Sequence, residues 1–232
     1  AGAGMVHQIV FRVGSQDSLT FWKDRLGTAG IETARDETTL DFRDPEGLGL
    51  QLRLSGSSEQ PLVPLHPEIP EELAIQGFDS VRAYSSDPAR SRDFLVAGVD
   101  FTPLDADAFQ SIGDSRSSIY SYDVAPGVGI SGAGTVHHVA WAAQMDEHGA
   151  WRERVLAAGG QPTPVIDRFY FRSIYFREPS GVLFEIATIG PGFATDEDPD
   201  HLGERLSLPP AFEYLRQRVE QTAGRFLSDV TF

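Results

Sequence analysis

The 232-residue sequence predicts an α+β fold in which a strand–helix–strand–strand–strand unit, βαβββ, occurs three times. Two observations predict this unit. The segments HQIVFRV (7–13) and HHVAWAA (137–143) resemble each other, and a stretch with a helical pattern follows each of them. Each of these two copies then ends in a hairpin with an acidic-Pro-X-Gly turn, at 44–54 and 178–188, whose flanking residues alternate as they do in strands.

The first and third copies are the clearest, and we expect them over residues 5–54 and 134–190. Their helices are predicted within 18–32 and 148–162. Both helical stretches end at a glycine, which is typical of a helix C-terminus.

The middle copy is weaker and is expected over residues 75–131. Segment 78–101 predicts a strand, a helix that stops at a glycine, and a second strand. Asp87 is the expected N-cap of this helix, with Pro88 at the first helical position. Residues 117–130 are expected to close the copy with further strands. A linker rich in Pro, Ser and Glu is predicted at 55–74, and an acidic loop with a helix at 191–232.

The composition limits the classes of function. The net charge of −15 argues against a nucleic-acid partner, because phosphate binding needs a basic surface. No apolar run has the length of a membrane span, so no membrane partner is expected. The chain has no cysteine, so any metal must be held by His, Asp or Glu, and a cytoplasmic location is expected.

The first and third copies differ where chemistry could occur. Aligning their first strands places Gln8 opposite His138, and aligning their hairpins places Gln51 opposite Glu185. An imidazole and a carboxylate bind a divalent metal well, whereas two amides do not. The middle copy has Ser80 near the histidine position and offers no clear acid. Only the third copy is therefore predicted to bind a metal.

The motifs GAGTVHHVAW, VIDRFYFRSIYFREPSGVLFEIAT and GPGFATDEDPDHLGERLSLPP carry a family resemblance. Together with the βαβββ repeat, they resemble the vicinal-oxygen-chelate (glyoxalase/bleomycin resistance/extradiol dioxygenase) superfamily. Within it, the sequence is similar to hydroquinone-type ring-cleaving dioxygenases, from about residue 2 to about 210 and most specifically over 132–210. The resemblance implies a mononuclear Fe(II), or Mn(II), held by two histidines and one glutamate, with open positions for an aromatic diol and O2.

The resemblance also implies roles for five residues. His138 and Glu185 match metal-ligand positions, and His137 matches a position next to the metal ligand or in contact with substrate. Arg168 would hold a negative substrate oxygen, and Tyr175 would donate or relay a proton. Because side chains alternate across a strand, His137 and His138 are expected to face opposite ways.

The register of the last hairpin tests the role of Tyr175. If Tyr175 lies directly opposite Glu185, both side chains point to the same face of the sheet. A tight two-residue turn at 179–180 would instead place Ile174 opposite Glu185 and turn Tyr175 away. The hypothesis therefore requires a turn with an odd number of residues, or a bulge.

The sequence departs from the family pattern in its number of modules. The resemblance implies four modules, of which the first supplies the second histidine ligand, and this sequence carries three. We therefore expect an N-terminally truncated chain with two of the three ligands and weak iron binding. His7 should face away from the ligand position by strand alternation, which leaves His201 or a second chain as an alternative donor. An unpaired module also exposes an apolar sheet face, which favours a homo-oligomer.

Three functions remain open at this point. The first is an Fe(II)-dependent extradiol-type dioxygenase that cleaves a hydroquinone or catechol with O2. The second is a metal-dependent lyase or isomerase of the glyoxalase type, which would form a thioester from a glutathione hemithioacetal without using O2. The third is a non-catalytic small-molecule binding protein of the bleomycin-resistance kind, which would be stabilised by its ligand without iron.

Overall fold

A computed structural model describes residues 1–227, with side chains described through residue 222. Residues 228–232 of the predicted C-terminal helix lie outside the described residues. The α-helices are α1 Gln16–Thr28, α2 Arg92–Val99, α3 His148–Ala157 and α4 Arg216–Leu227. The strands are β1 Met5–Val13, β2 Ala34–Arg35, β3 Thr39–Arg43, β4 Gly49–Leu54, β5 Phe78–Ser85, β6 Thr102–Pro103, β7 Ala108–Ile112, β8 Ser117–Val124, β9 Val139–Ala143, β10 Ile166–Asp167, β11 Arg172–Arg177 and β12 Leu183–Thr188.

The described chain repeats one order of elements: a strand, a helix and three strands. It occurs in β1 to β4 with α1, in β5 to β8 with α2, and in β9 to β12 with α3. The fold is therefore a mixed α+β fold, as predicted. The division into modules at 5–54, 75–131 and 134–190 stays a prediction.

The ends of the helices agree with the prediction in two copies and differ in one. Gly30 and Gly159, with φ of 75° and 86°, follow α1 and α3. Helix α2 instead continues through Gly98 to Val99, and its C-cap is Asp100, which takes the left-handed conformation at φ 63°. The predicted glycine stop was wrong there because Asp also tolerates this conformation. Asp87 is the N-cap residue of the short 3-10 helix Pro88–Ser91 that leads into α2, with Pro88 in its first turn as predicted, although the Asp87 side chain makes no capping hydrogen bond.

Within the described residues, the strands form an eight-stranded and a four-stranded sheet. The eight-stranded sheet has the order β2-β3-β4-β1-β5-β8-β7-β6, and the four-stranded sheet has the order β10-β11-β12-β9. The first strands of two copies, β1 and β5, pair antiparallel at the centre of the larger sheet with Ile9 opposite Val81. The strand order on the two sides of this pair is the same, β4-β3-β2 beside β1 and β8-β7-β6 beside β5, so the two copies are related by an approximate two-fold axis.

One apolar core joins the two sheets. Tyr120 of β8 and Phe184 of β12 are both fully buried, with ring centroids 5.1 Å apart. Phe101, which follows α2, contacts Trp141 of β9 at 4.8 Å between centroids. Because burial of such aromatic side chains dominates core energetics, the smaller sheet is firmly packed against the larger one.

No helix among residues 1–227 is long and apolar enough to cross a membrane.

The linker is attached to the larger sheet by Glu59. Its carboxylate accepts hydrogen bonds from the Ser117 hydroxyl at 2.7 Å, from the Ser117 backbone N–H at 2.8 Å, and from the buried Arg12 guanidinium. These contacts lower the pKa of Glu59 from 4.5 to about 2, with the Ser117 hydroxyl as the largest cause and the Arg12 hydrogen bond next. The charged carboxylate is therefore the form that the folded state favours.

We expect Glu59→Gln to remove an acid-sensitive part of the stability. A carboxyl group with a lowered folded-state pKa stabilises the fold above its ordinary pKa, and this contribution is lost as the pH falls through the folded-state value. The wild-type advantage over the variant should thus be complete above about pH 4.5 and shrink toward about pH 2. Urea unfolding at neutral and acidic pH measures it. An unchanged advantage in acid would contradict the assignment, and Glu71→Gln in the same linker is the control.

Candidate metal site

Glu185 lies on β12, between β11 and β9, and its side chain is almost fully buried. Tyr175 of β11 lies opposite Glu185 on one side, and Ala140 of β9 on the other. Because residues paired directly across two strands have their side chains on the same side, Glu185 and Tyr175 point to the same face of the smaller sheet. His138 immediately precedes β9, and its Nε2 lies 2.7 Å from Glu185 Oε2. The two predicted ligand atoms therefore meet at this face.

The register of the hairpin meets the condition set for Tyr175. The last paired residues are Arg177 and Leu183, so five residues connect the two strands. This odd number keeps Tyr175 directly opposite Glu185, and the Tyr175 hydroxyl donates a hydrogen bond to Glu185 Oε1 at 2.6 Å. Gly181, at φ 102°, accommodates the turn, because a side chain at that position would be strained.

Ser173 was not among the site residues predicted from the sequence. This residue is fully buried on β11, two residues before Tyr175 and on the same face, and its hydroxyl donates to the same Glu185 Oε1. The Ser-X-Tyr spacing in the strand that precedes the carboxylate was the available signal. This spacing places two hydroxyls on one face of the strand. Only the register with β12 shows that Glu185 lies on that same face.

His137 and His138 do not face opposite ways, contrary to the prediction from strand alternation. Both residues lie in the coil before β9, where the alternation of a strand does not apply. Their rings are perpendicular, and Nδ1 of His137 lies 2.8 Å from Nδ1 of His138. His137 is exposed and His138 is half-buried, so the pair connects solvent to Glu185.

Arg168 lies beside Tyr175. Its guanidinium carbon is 5.4 Å from the centroid of the Tyr175 ring, a cation–π contact. The turn that places it is held by the Asp167 carboxylate, which accepts from the Phe169 N–H at 2.8 Å, and Phe169 takes the unusual φ of 73°. The exposed charge of Arg168 therefore borders the same face as His138 and Glu185.

The first copy places different groups at the matching positions. The registers of β1, β3 and β4 place Gln8, Gln51 and Asp41 where the third copy has His138, Glu185 and Tyr175. The amides of Gln8 and Gln51 each donate to Asp41 Oδ1 at 2.9 Å. The Gln51 carbonyl in turn accepts from the Arg53 guanidinium at 3.0 Å, so these polar groups are already engaged with protein partners.

In the middle copy, the register of β5 and β8 places Ser80 at the position that corresponds to His138. It places Ser121 at the position that corresponds to Glu185. Hydroxyls are weak ligands for a transition metal compared with imidazole and carboxylate. The third copy is therefore the one whose side chains suit a metal.

A third protein ligand is not found among the described residues. No group of three or more His, Asp and Glu side chains in residues 1–227 is arranged to hold a metal. His7 bonds to Asp123 at 2.8 Å, and His201 bonds to Glu204 at 2.8 Å. The described part of the chain thus supplies one histidine and one carboxylate of a two-histidine, one-carboxylate set.

Comparisons with known proteins agree with this architecture. A family model described as "Glyoxalase/Bleomycin resistance protein/Dioxygenase superfamily" matches residues 77–186. The chain is 36% identical over 215 residues to the protein named "Putative ring-cleaving dioxygenase MhqO" of Bacillus subtilis, covering 88% of this chain and 68% of that protein. The chain belongs to the glyoxalase/bleomycin resistance protein/dioxygenase superfamily.

Two further members of this superfamily are informative. The chlorohydroquinone/hydroquinone 1,2-dioxygenase of Sphingobium indicum is 28% identical over 239 residues, covering 95% of this chain and 73% of that protein. A crystal structure described as a "putative dioxygenase" from Bacillus subtilis superposes with a TM-score of 0.84 at 34% identity, covering 95% of this chain and 74% of that one. This similarity extends through all three copies of the strand and helix order.

Proposed function

We propose that this protein is an Fe(II)-dependent extradiol-type ring-cleaving dioxygenase that acts on a hydroquinone or catechol with O2. The observation that carries the proposal is the 2.7 Å approach of His138 Nε2 to Glu185 Oε2 on a sheet face bordered by Tyr175 and Arg168. The names of the relatives support the same chemistry. The absence of cysteine is consistent with the cytoplasmic location that we propose.

The two ligands that the described residues bring together, one histidine and one glutamate, are of types that fit iron. An imidazole and a carboxylate are ligands that Fe(II) and Mn(II) accept, and His138 and Glu185 would hold the ion. When bound, iron supplies a centre that can take up a diol and O2 together in its open positions. With these two protein ligands alone, this chain should hold the ion weakly.

His137 would set the protonation of His138. The contact of His138 Nε2 with the carboxylate Oε2 of Glu185 places a hydrogen on Nε2, and in the neutral ring His138 Nδ1 then accepts from His137 Nδ1. As a ligand, His138 would release the Nε2 proton to solvent and take the Nδ1 proton of His137, and His137 would take up a proton on its own Nε2, so that His138 Nδ1 donates to His137 Nδ1. We therefore assign His137 to the orientation and proton balance of His138.

Tyr175 and Arg168 would act on the substrate. The Tyr175 hydroxyl already holds a proton 2.6 Å from Glu185 Oε1, which places a proton donor beside the proposed substrate position. The exposed guanidinium of Arg168 can form charge-assisted hydrogen bonds with a phenolate oxygen. The Arg168 guanidinium lies over the Tyr175 ring, so the two side chains would act on the same substrate from neighbouring positions.

Oxygen uptake tests the proposal. The purified protein with added Fe(II) should consume O2 when hydroquinone or a catechol is supplied, and a chelator should stop it. Thioester formation from a glutathione hemithioacetal would instead identify a glyoxalase-type enzyme. Stabilisation by an aromatic ligand with no effect of metal would identify a binding protein. Either of these outcomes, without oxygen uptake, would overturn the proposal.

We expect Tyr175→Phe to slow oxygen uptake by about 10²–10⁴-fold, the range typical for loss of a general acid or base. The phenyl ring keeps the stacking with Arg168, so the fold should be retained. The measurement is kcat for oxygen uptake, with Tyr214→Phe at an exposed tyrosine as the control. A variant with unchanged kcat would remove Tyr175 from the proposed proton transfer.

A further inference from the structure

We propose that Ser173 is the positioning residue that fixes the Glu185 carboxylate so that Oε2 is directed toward the metal. This inference rests on the proposed function, because it assumes that His138 and Glu185 are ligands. Nothing in the family resemblance or in the names of the relatives assigns a role to Ser173.

The two oxygens of Glu185 have different environments. Oε1 accepts hydrogen bonds from two hydroxyls, those of Ser173 and Tyr175, whereas Oε2 lies next to His138 Nε2. A carboxylate whose one oxygen is held by two donors cannot rotate freely about its last bond. Oε2 is therefore the oxygen left for the ion, and it already lies next to the ligand atom of His138.

The two hydroxyls differ in their freedom. Ser173 is fully buried, and in the described residues its hydroxyl has Glu185 as its hydrogen-bond partner. Tyr175 is half-buried, has a longer side chain and borders the open face with Arg168. If the Tyr175 hydroxyl turns to a substrate, Ser173 remains to hold Oε1. Fixing of the carboxylate and proton transfer are thus assigned to different residues.

The first copy also has a residue with a hydroxyl at this place. Thr39 lies opposite Arg53 as Ser173 lies opposite Ala187, which are matching positions in the two hairpins. The Thr39 hydroxyl lies 3.4 Å from Asp41 Oδ2, the carboxylate of its own network. Asp41 stands at the position of Tyr175 rather than that of Glu185, so the first copy shows only that a threonine is accommodated at the position of Ser173.

Metal affinity of the metal-free protein tests the role of Ser173. Residues that hydrogen-bond a metal ligand typically contribute about 10–100-fold to metal affinity. We expect Ser173→Ala to raise the Kd for Mn(II), measured by the electron paramagnetic resonance signal of free Mn(II), by about tenfold or more. Ser173→Thr, which keeps the hydroxyl, should restore most of the affinity. If the alanine variant fails to fold, Ser173→Cys keeps the size with a much weaker donor.

Ser91→Ala is the matched control. Ser91 is also fully buried, and its hydroxyl also donates to a buried carboxylate, that of Glu178, at 2.6 Å. This variant should lose stability by a similar amount and leave the Mn(II) affinity unchanged. A role of Ser173 in stability alone would make the two variants behave alike.

The outcomes separate the two proposals. Wild-type affinity in Ser173→Ala, with binding lost in Glu185→Gln, would overturn the role of Ser173 and leave the proposed function standing. Equal loss of affinity in Ser173→Thr and Ser173→Ala would overturn the role of the hydroxyl. No Mn(II) or Fe(II) binding by the wild-type protein up to millimolar concentrations would overturn the proposed function and the inference together.

Discussion

Glu185→Gln is expected to abolish metal-dependent oxygen uptake and to raise the Kd for Mn(II) by more than about 100-fold, the upper range for residues that only support a ligand. The charged carboxylate is the group that neutralises and holds a divalent ion, and an amide is a much weaker ligand. The loss should occur without unfolding. The glutamine carbonyl can accept from Ser173 and Tyr175, and its NH2 group can donate to a neutral His138 Nε2.

Three measurements make this result decisive. Mn(II) binding and oxygen uptake report on the site, and denaturant unfolding reports on the fold. The control is Gln51→Ala, which removes a polar side chain at the matching position of the larger sheet and should leave both site measurements unchanged. If Glu185→Gln retained metal binding, the ion would have to bind elsewhere, and the assignment of this face would fail.

The pair of His138 and Glu185 could be predicted from the sequence because the copies could be compared. Strand one and strand four pair in parallel with the same offset in the first and third copies, so Gln8 and Gln51 mark the positions of His138 and Glu185. The sequence also showed that Tyr175 can lie opposite Glu185 only if the turn between β11 and β12 has an odd number of residues. The actual length of the turn, five residues, came only from the structure. The chemical roles of these residues remain proposals.

Ser173 and the end of α2 could not be predicted, for two different physical reasons. Ser173 resembles any small residue of a buried strand until the register places it beside Glu185. The end of α2 depended on a choice between Gly98 and Asp100. Gly98 is buried against Ala158 beside α3, so tertiary packing keeps it inside the helix and shifts the left-handed residue to Asp100.

Contacts between copies could not be predicted either. Glu178, in the turn of the third copy, accepts hydrogen bonds from Ser91 and Tyr122 of the middle copy, 87 and 56 residues away in the chain. No local periodicity relates such residues. The acidic-Pro-X-Gly motif therefore predicted the turn correctly but not that its acid is buried, with 1% of its surface exposed.

Glu178→Ala is expected to lower the free energy of unfolding by on the order of 3–5 kcal/mol, because several buried donors lose their acceptor at about 1–3 kcal/mol for each group left unsatisfied. Glu178 Oε2 accepts from the hydroxyls of Ser91 and Tyr122, both at 2.6 Å, and from the Ser180 N–H at 2.9 Å. Oε1 accepts from the Val182 N–H at 2.9 Å. Without the carboxylate these donors lose their acceptor in a site closed to water, which is costly for each of them.

The Tyr122 hydroxyl cannot avoid this loss by ionising, because burial and the nearby charge of Glu178 raise the pKa of Tyr122 far above its ordinary value. With Glu178 gone, burial alone still keeps the phenol protonated, so it remains a donor that has lost its charged acceptor. Denaturant unfolding should show the loss, and the Tm should fall by on the order of 10 °C. Glu153→Ala, at an exposed position of α3, should change stability by less than about 1 kcal/mol. An equally small change in Glu178→Ala would show that water replaces the carboxylate, and that the contact between the two sheets rests on the aromatic core around Tyr120 and Phe184.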